Sequence, residues 1–311
     1  MDVVIAGGSG FIGSALRRSF EADGHRVIRM VRPDSEGSGT SGSGGDTITW
    51  DPAAARIDAG GLEGVDAVVN LGGVGIGDKK WSDDRKDEIL QSRLTTTGLL
   101  SGTLAALRKP PAVFVSASAV GYYGNRGDEE LTEGSGPGQG FLADVCVAWE
   151  DAARPAAEAG LRVAWIRTGL VLHPSGGVLR RLLLPFKLGA GGRLGKGTQY
   201  MPWITLDDEV GSIRRIIDDA SMGGPVNLTA PNPVTNAEFT ATMGKVLGRP
   251  TAIPTPLLPL KLRYGGELVQ SLLLDGQRVL PAKLEEAGHE FGHTQLEPAL
   301  RTMLGKEQVA A

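Results

Sequence analysis

The chain has 311 residues, with 32 Lys plus Arg against 36 Asp plus Glu, and its net charge of −4 argues against a dedicated nucleic-acid binder. Hydrophobic residues make up 41% and charged residues 22%, which excludes disorder and fibrous repeats and allows one large domain or two unequal ones. Glycine is the outlier: 46 of 311 residues is about twice the usual share of about 7%, so many tight turns or close backbone approaches are implied.

In chain order, an apolar run at 3–6 reads as a strand. It is followed by Gly7-Gly8-Ser9-Gly10-Phe11-Ile12-Gly13 and a helix over 14–22. A second strand spans 26–31 and ends in Arg32-Pro33-Asp34. A Gly/Ser-rich stretch at 35–45 reads as a surface loop. Strands at 67–71, 112–116 and 163–167 then alternate with helical patterns at 81–107 and 141–153. The strands are apolar almost throughout, as expected where helices cover both faces of a parallel sheet. From about residue 231 the strand rhythm fades into Pro-rich turns and helices at 235–247, 257–274 and 281–287. The expected architecture is α/β: a Rossmann-type, doubly wound parallel sheet over 1–230, with a small, mostly helical substrate-side subdomain over 231–311.

The strand, glycine turn, helix and strand of the first 31 residues form the context that a dinucleotide fingerprint requires. Glycines 7, 10 and 13 allow the tight turn, approach to a pyrophosphate and close helix–strand packing, and the helix N-terminus offers N–H groups to phosphate. An acidic residue at the end of the second strand would suit the ribose of NAD(H). Arg32 stands there instead, and its guanidinium suits a 2′-phosphate, so NADP(H) is the expected cofactor.

Further motifs are Asn70-Leu71-Gly72-Gly73, Ser116-Ala117-Ser118-Ala119-Val120-Gly121-Tyr122-Tyr123-Gly124, Arg167-Thr168-Gly169, Pro202-Trp203-Ile204 and 230–239. With the fingerprint, these resemble the extended and atypical short-chain dehydrogenase/reductases over nearly the whole chain. The resemblance is specifically to the epimerase-like family of the NAD-dependent epimerase/dehydratase superfamily, with that family's C-terminal domain of unknown function. It implies that Thr49, Trp50 and Asp51 lie beside the adenine and that Leu71, Gly72 and Gly73 approach the ribose and nicotinamide. It further implies that Ser116, Ala117 and Ser118 end the strand leading to the catalytic centre, and that Arg167, Thr168, Gly169 and Leu170 pass the nicotinamide amide.

The wider superfamily uses a Tyr-x-x-x-Lys pair, because a phenol near pKa 10 is otherwise a poor acid–base group. The four tyrosines here are followed four positions later by Arg126, Gly127, Ile204 and Leu268, so that pair is missing, and the resemblance places Leu142 and Cys146 at its two positions. The remaining catalytic candidates are Ser118, as a hydrogen-bonding partner of a substrate oxygen, and Tyr122 or Tyr123 as proton donor; the alternative for each is packing in a strand-to-loop turn. Cys146 reads as a small buried hydrophobe and Trp81 as a helix-start residue that also suits the cofactor cleft. Lys187, Arg193, Lys196 and Trp203 are candidates for holding an anionic or aromatic substrate, the alternative being ordinary loop features.

His289-Glu290-Phe291-Gly292-His293 matches a zinc-protease pattern in letters only. Gly288 and Gly292 disfavour the single helix the motif needs, and no metal site is expected. The lone Cys146 excludes an internal disulfide and a CxxC site. The N-terminus has no leader pattern, and no apolar run approaches the roughly 20 residues of a membrane span. The expectation is therefore a cytoplasmic NADP(H)-dependent oxidoreductase acting on a small carbonyl-type molecule, without nucleic-acid or membrane partners. Oligomeric state is open, a homodimer among the options. The rival readings are a redox-sensing NADP(H) binder without turnover and, third, a sugar-nucleotide epimerase or dehydratase.

Overall fold

A computed structural model describes residues 1–33 and 46–306. The loop expected at 35–45, and Asp34 before it, lie outside them. The first half of the chain runs β1 (Asp2–Ala6), α1 (Phe11–Ala22), β2 (Arg26–Val31), β3 (Thr47–Asp51), β4 (Arg56–Ile57), β5 (Ala67–Asn70), α2 (Asp83–Ala105), β6 (Val113–Ala119), β7 (Glu130–Leu131) and α3 (Phe141–Ala152). It continues with α4 (Arg154–Glu158), β8 (Val163–Thr168), β9 (Leu170–His173), α5 (Gly177–Lys187), β10 (Tyr200–Met201), β11 (Trp203–Thr205), α6 (Leu206–Asp218) and β12 (Gly224–Leu228). The last part holds β13 (Val234–Thr235), α7 (Asn236–Leu247), α8 (Leu257–Tyr264), α9 (Gly266–Val269), a π-turn (Gln270–Leu274), β14 (Arg278–Val279), α10 (Ala282–Glu286) and α11 (Leu296–Met303).

Eight strands form the main sheet in the order β12-β8-β6-β5-β1-β2-β3-β4, all parallel except the β3–β4 pair. Strand order reverses between β1 and β5, and a doubly wound sheet binds its ligand in the crevice at that point. The central strands have helices on both faces. On one side Leu16, Phe20, Ile213 and Ile216 pack on Val3, Ile5, Val69 and Val115; on the other, Leu62, Leu100, Leu104 and Ala156 pack on Val4, Val68 and Phe114. This two-sided burial is the reason β1 and β5 read as uninterrupted apolar runs.

The expected strands and the first three helices are present within a few residues. β3 escaped notice because it alternates instead of running apolar: Ile48 and Trp50 are buried while Thr47 and Thr49 face out. The helix expected over 257–274 is broken at Gly265 (φ 90°), which ends α8, and is finished by α9 and the π-turn. After β8 the chain leaves the main sheet, pairing β9 with β11 and β10 with β13. As a result the C-terminal helices share a core with residues from the 170–205 region: Leu172, Leu179, Phe186 and Trp203 pack with Phe239, Met243, Leu296 and Leu300. Phe239 is 1% exposed at the middle of this core. Phe239→Ala is expected to destabilise the fold by about 3–5 kcal/mol, read from the shift of the urea unfolding midpoint.

Candidate functional site

The glycine turn is built by backbone contacts that no side chain would tolerate. Gly7 has φ 80°, and a Cβ there would stand 2.9 Å from the Leu71 carbonyl carbon. A Cβ on Gly13 would overlap the Gly7 carbonyl oxygen. The Gly10 N–H donates to Gly7 O (2.9 Å), and α1 starts there without a side-chain cap and without an acidic residue in its first turn. That helix end therefore favours an anion. Beside it opens a cleft of about 700 Å³ whose wall includes Ser9, Phe11, Ser14, Arg18, Arg180 and Arg181. Ile12 and Gly8 close the turn against the sheet, and Arg32 is exposed just past β2.

Across the crevice Asn70 is fully buried and shapes the turn after β5. Its Oδ1 accepts from the Gly72 N–H (3.1 Å) and its Nδ2 donates to Thr97 Oγ1 (2.9 Å). This holds the half-buried Leu71 and Gly72 against the glycine turn, while Gly73 (φ 156°) borders Arg93. Asp51 is half-buried, accepting from the Ala54 N–H (3.2 Å) and Arg56 (3.4 Å). Trp50 is 5% exposed and its indole packs in the core with Ile48 and Leu62, so its side chain faces inward and not toward an adenine.

At the end of β6 the expected catalytic residues enter a buried polar chain. Ser118, 4% exposed, donates from Oγ to Glu150 Oε1 (2.7 Å). Arg167 grips Glu150 with two bonds (both 2.9 Å), donates to Tyr123 Oη (3.0 Å) and lies 3.4 Å over the Tyr122 ring. Tyr123 in turn donates to Asn227 Oδ1 (2.7 Å). Burial works against the charge on Arg167, yet its bonds to Glu150 keep it more firmly protonated than usual. Burial pushes the Tyr123 phenol up to about 12, only partly offset by Arg167. Fully enclosed and with both hydroxyl contacts inside the protein, Tyr123 is a packing and hydrogen-bonding residue, not an accessible proton donor. Arg167 likewise points into this network instead of toward a nicotinamide amide. Ser116, fully buried, and Ala117 complete the strand end behind it.

Thr168 donates to Glu209 Oε1 (2.8 Å) on α6, and Gly169 packs tightly on the Pro202 carbonyl. On α3, Leu142 is half-buried and Cys146 is 4% exposed, both against Gly121; burial, then the Glu150 charge, pushes the thiol up to about 12. Leu142 and Cys146, which the resemblance sets at the acid–base positions, are thus an apolar side chain and an unreactive thiol. Trp203 is fully buried, donating to the Asn232 carbonyl (2.9 Å), so it belongs to the core and not to a substrate surface. Trp81 packs edge-on against Phe141, its ring centroid 5.0 Å away. Lys187, Arg193 and Lys196 are exposed. The 289–293 stretch is not helical: Gly288 (φ 66°) ends α10, and the Gly292 and His293 N–H groups donate to buried Asp208. Among the described residues no group of three or more His, Cys, Asp or Glu side chains is placed to hold a metal.

Residues 3–228 match the family model described as "NAD dependent epimerase/dehydratase family", and residues 255–303 match a domain of unknown function, DUF1731. The chain belongs to the epimerase/dehydratase family. This member is 45% identical to the Mycobacterium tuberculosis epimerase family protein MT2273 over 96% of both chains. It is 35% identical to human epimerase family protein SDR39U1, over 98% of this chain and 100% of the human one. The crystal structure of human SDR39U1 (isoform 2) with NADPH superposes with a TM-score of 0.87 at 34% identity, covering 99% of this chain and 100% of that one. A Corynebacterium glutamicum nucleoside-diphosphate sugar epimerase gives 0.79 at 37% identity, over 100% of this chain and 59% of that one.

Glu150, Asn227 and Glu209 were not singled out from the sequence. Only Asn227 stands inside an apolar run; Glu209 ends the acidic run Asp207-Asp208-Glu209 and Glu150 is followed by Asp151, so both read as ordinary surface charges. Glu209 is fully buried, its Oε2 has no hydrogen-bond partner among the described residues, and burial pushes its pKa up to about 8. A carboxyl that keeps its proton when folded but loses it near 4.3 when unfolded makes stability fall as pH rises from that range to about 8. Glu209→Gln is expected to flatten this fall, so that melting temperatures at about pH 5 and about pH 8 lie closer together than in the parent. Glu150→Ala, which strands the Arg167 charge, is expected to cost about 3–5 kcal/mol by denaturant titration.

Proposed function

We propose that the protein is an NADP(H)-dependent oxidoreductase acting on a small carbonyl-type substrate. The observation that carries this reading is the turn in which a Cβ on Gly13 would overlap the Gly7 carbonyl, set across the β1/β5 switch point from Ser118. The NADPH in the human relative's structure supports the same cofactor here.

In this reading Gly7 to Gly13 and the start of α1 hold the diphosphate, Arg32 the 2′-phosphate, Asp51 the adenine amino group, and Leu71 to Gly73 the ribose side. A bound nicotinamide supplies hydride donation or acceptance. Ser118 orients the reacting oxygen or nitrogen. Its proton is committed to Glu150, which Arg167 holds in place, so Ser118 offers a lone pair to the crevice and suits a substrate O–H or N–H. A bare carbonyl engages Ser118 once that hydroxyl turns away from Glu150, whose oxygens remain bonded to Arg167. With Tyr123 enclosed, proton exchange falls to half-buried Tyr122 or to water.

A second reading, a redox-sensing binder without turnover, is favoured by Leu142 and Cys146 at the positions of the missing pair. Both readings meet one experiment: titration with NADPH and NADH, then NADPH oxidation against quinones, aldehydes and ketones. The enzyme reading expects preferential NADPH binding with turnover, and tight binding without turnover on any of the compounds favours the sensor. Arg32→Ala is expected to weaken NADPH about tenfold while leaving NADH within about twofold. Ser118→Ala with Tyr122→Phe is expected to lower turnover by about 100-fold; full turnover in that double variant removes both residues from the mechanism.

A further inference from the structure

The large apolar side chains that this protein exposes are not scattered. Apart from Met1, those among the described residues are Leu184 (65% exposed), Leu188 (74%), Ile253 (80%), Leu258 (68%) and Leu262 (75%). All five fall in two segments, 177–198 and 248–266, which the fold joins. The Thr255 N–H donates to Arg193 O (2.9 Å), Thr255 Oγ1 donates to Gly192 O (3.0 Å), and Leu194 bridges Thr255. Pro250 stands against Gly189, and Leu257 against Gly195. α8 lies on this face without burying a single residue, and Leu258 and Leu262 share one side of it. A helix in water normally covers its apolar stripe.

Charge is segregated in the same place. The 177–198 segment carries five Lys or Arg and the 248–266 segment three, with no Asp or Glu in either, on a chain whose net charge is −4. Lys187, Arg193, Lys196, Arg249, Lys261 and Arg263 are all exposed. We infer that this face is a peripheral docking surface for a membrane bearing anionic lipid, the leucines and Ile253 entering the acyl boundary and the cations meeting the headgroups. Charge complementarity selects that occupant. A second copy of the chain across a twofold axis would set cations against cations. A protein interface draws its energy mainly from Trp, Tyr and Arg, with Leu under-represented, and no Trp, Tyr or Phe is among the large apolar side chains exposed here. Exposed Leu and Ile interleaved with Lys and Arg, whose stems lie along the apolar surface while their heads stay in water, is the composition of an interfacial segment. No helix among the described residues is long and apolar enough to cross a bilayer, so the contact is from one side.

The test is flotation of the full chain with vesicles of phosphatidylcholine alone and with vesicles containing about one third phosphatidylglycerol. Retention on the anionic vesicles is expected to exceed that on neutral ones by about tenfold and to fall as salt is raised. Leu258→Glu with Leu262→Glu, and separately Arg249→Glu with Lys261→Glu and Arg263→Glu, are each expected to abolish retention. All five positions are exposed, so circular dichroism, melting temperature and NADPH affinity are expected to stay at parental values in both variants. Absence of retention on anionic vesicles, equal retention on neutral ones, or retention unchanged in both variants overturns the inference. So does a dimer in light scattering that the leucine variant dissolves without any vesicle binding, which would make the face a contact between proteins.

Discussion

The ion pair of Arg167 with Glu150 is the constraint on which the centre of this structure depends. A guanidinium 3% exposed is tolerable only when every donor direction is met. Meeting them fixes five elements at once: α3 through Glu150, β6 through Ser118, the turn after β6 through Tyr123 and the Tyr122 ring, β8 through Arg167 itself, and β12 through Asn227. The Asn227 N–H continues the chain to Glu133 (3.0 Å), which also accepts from the Lys283 N–H (3.3 Å) on α10. The end of β6 is thus tied by hydrogen bonds to the C-terminal part of the molecule.

The cofactor side is governed by a different constraint, the near-contact of three backbone segments. Gly7, Gly13 and the start of the β5 turn approach so closely that their geometry is set by the absence of side chains. That part of the site needs no buried charge to hold its shape. This separation leaves the close-packed glycine turn and the buried polar chain at the end of β6 as two parts with different physical supports.

The same separation explains what was legible in the sequence. The glycine turn, the strands at β1, β2 and β5 and the helix α3 follow from local rules: close packing demands glycine, and two-sided burial demands apolar runs. Arg167 on its strand and Tyr123 at the turn after β6 fall where the sequence pattern puts them, but where their side chains point is set by partners far away in sequence. Tyr123 meets Asn227 across 104 positions, and no local pattern announces such a pairing. Trp203 shows the limit of motif reading, because a position expected to face a substrate is filled by a residue that packs the core.

The excursion of the chain between β8 and β12 has an evolutionary corollary. Leu172, Leu179, Phe186 and Trp203 come from within the span matched to the epimerase family, yet they pack with Phe239, Met243, Leu296 and Leu300 beyond it. The core therefore spans the epimerase match, the unmatched residues 229–254 and the second match at 255–303. A C-terminal segment transplanted from another lineage would arrive without the Leu172, Leu179, Phe186 and Trp203 side chains that its counterparts pack on here, so an exchange at residue 228 cuts through one core.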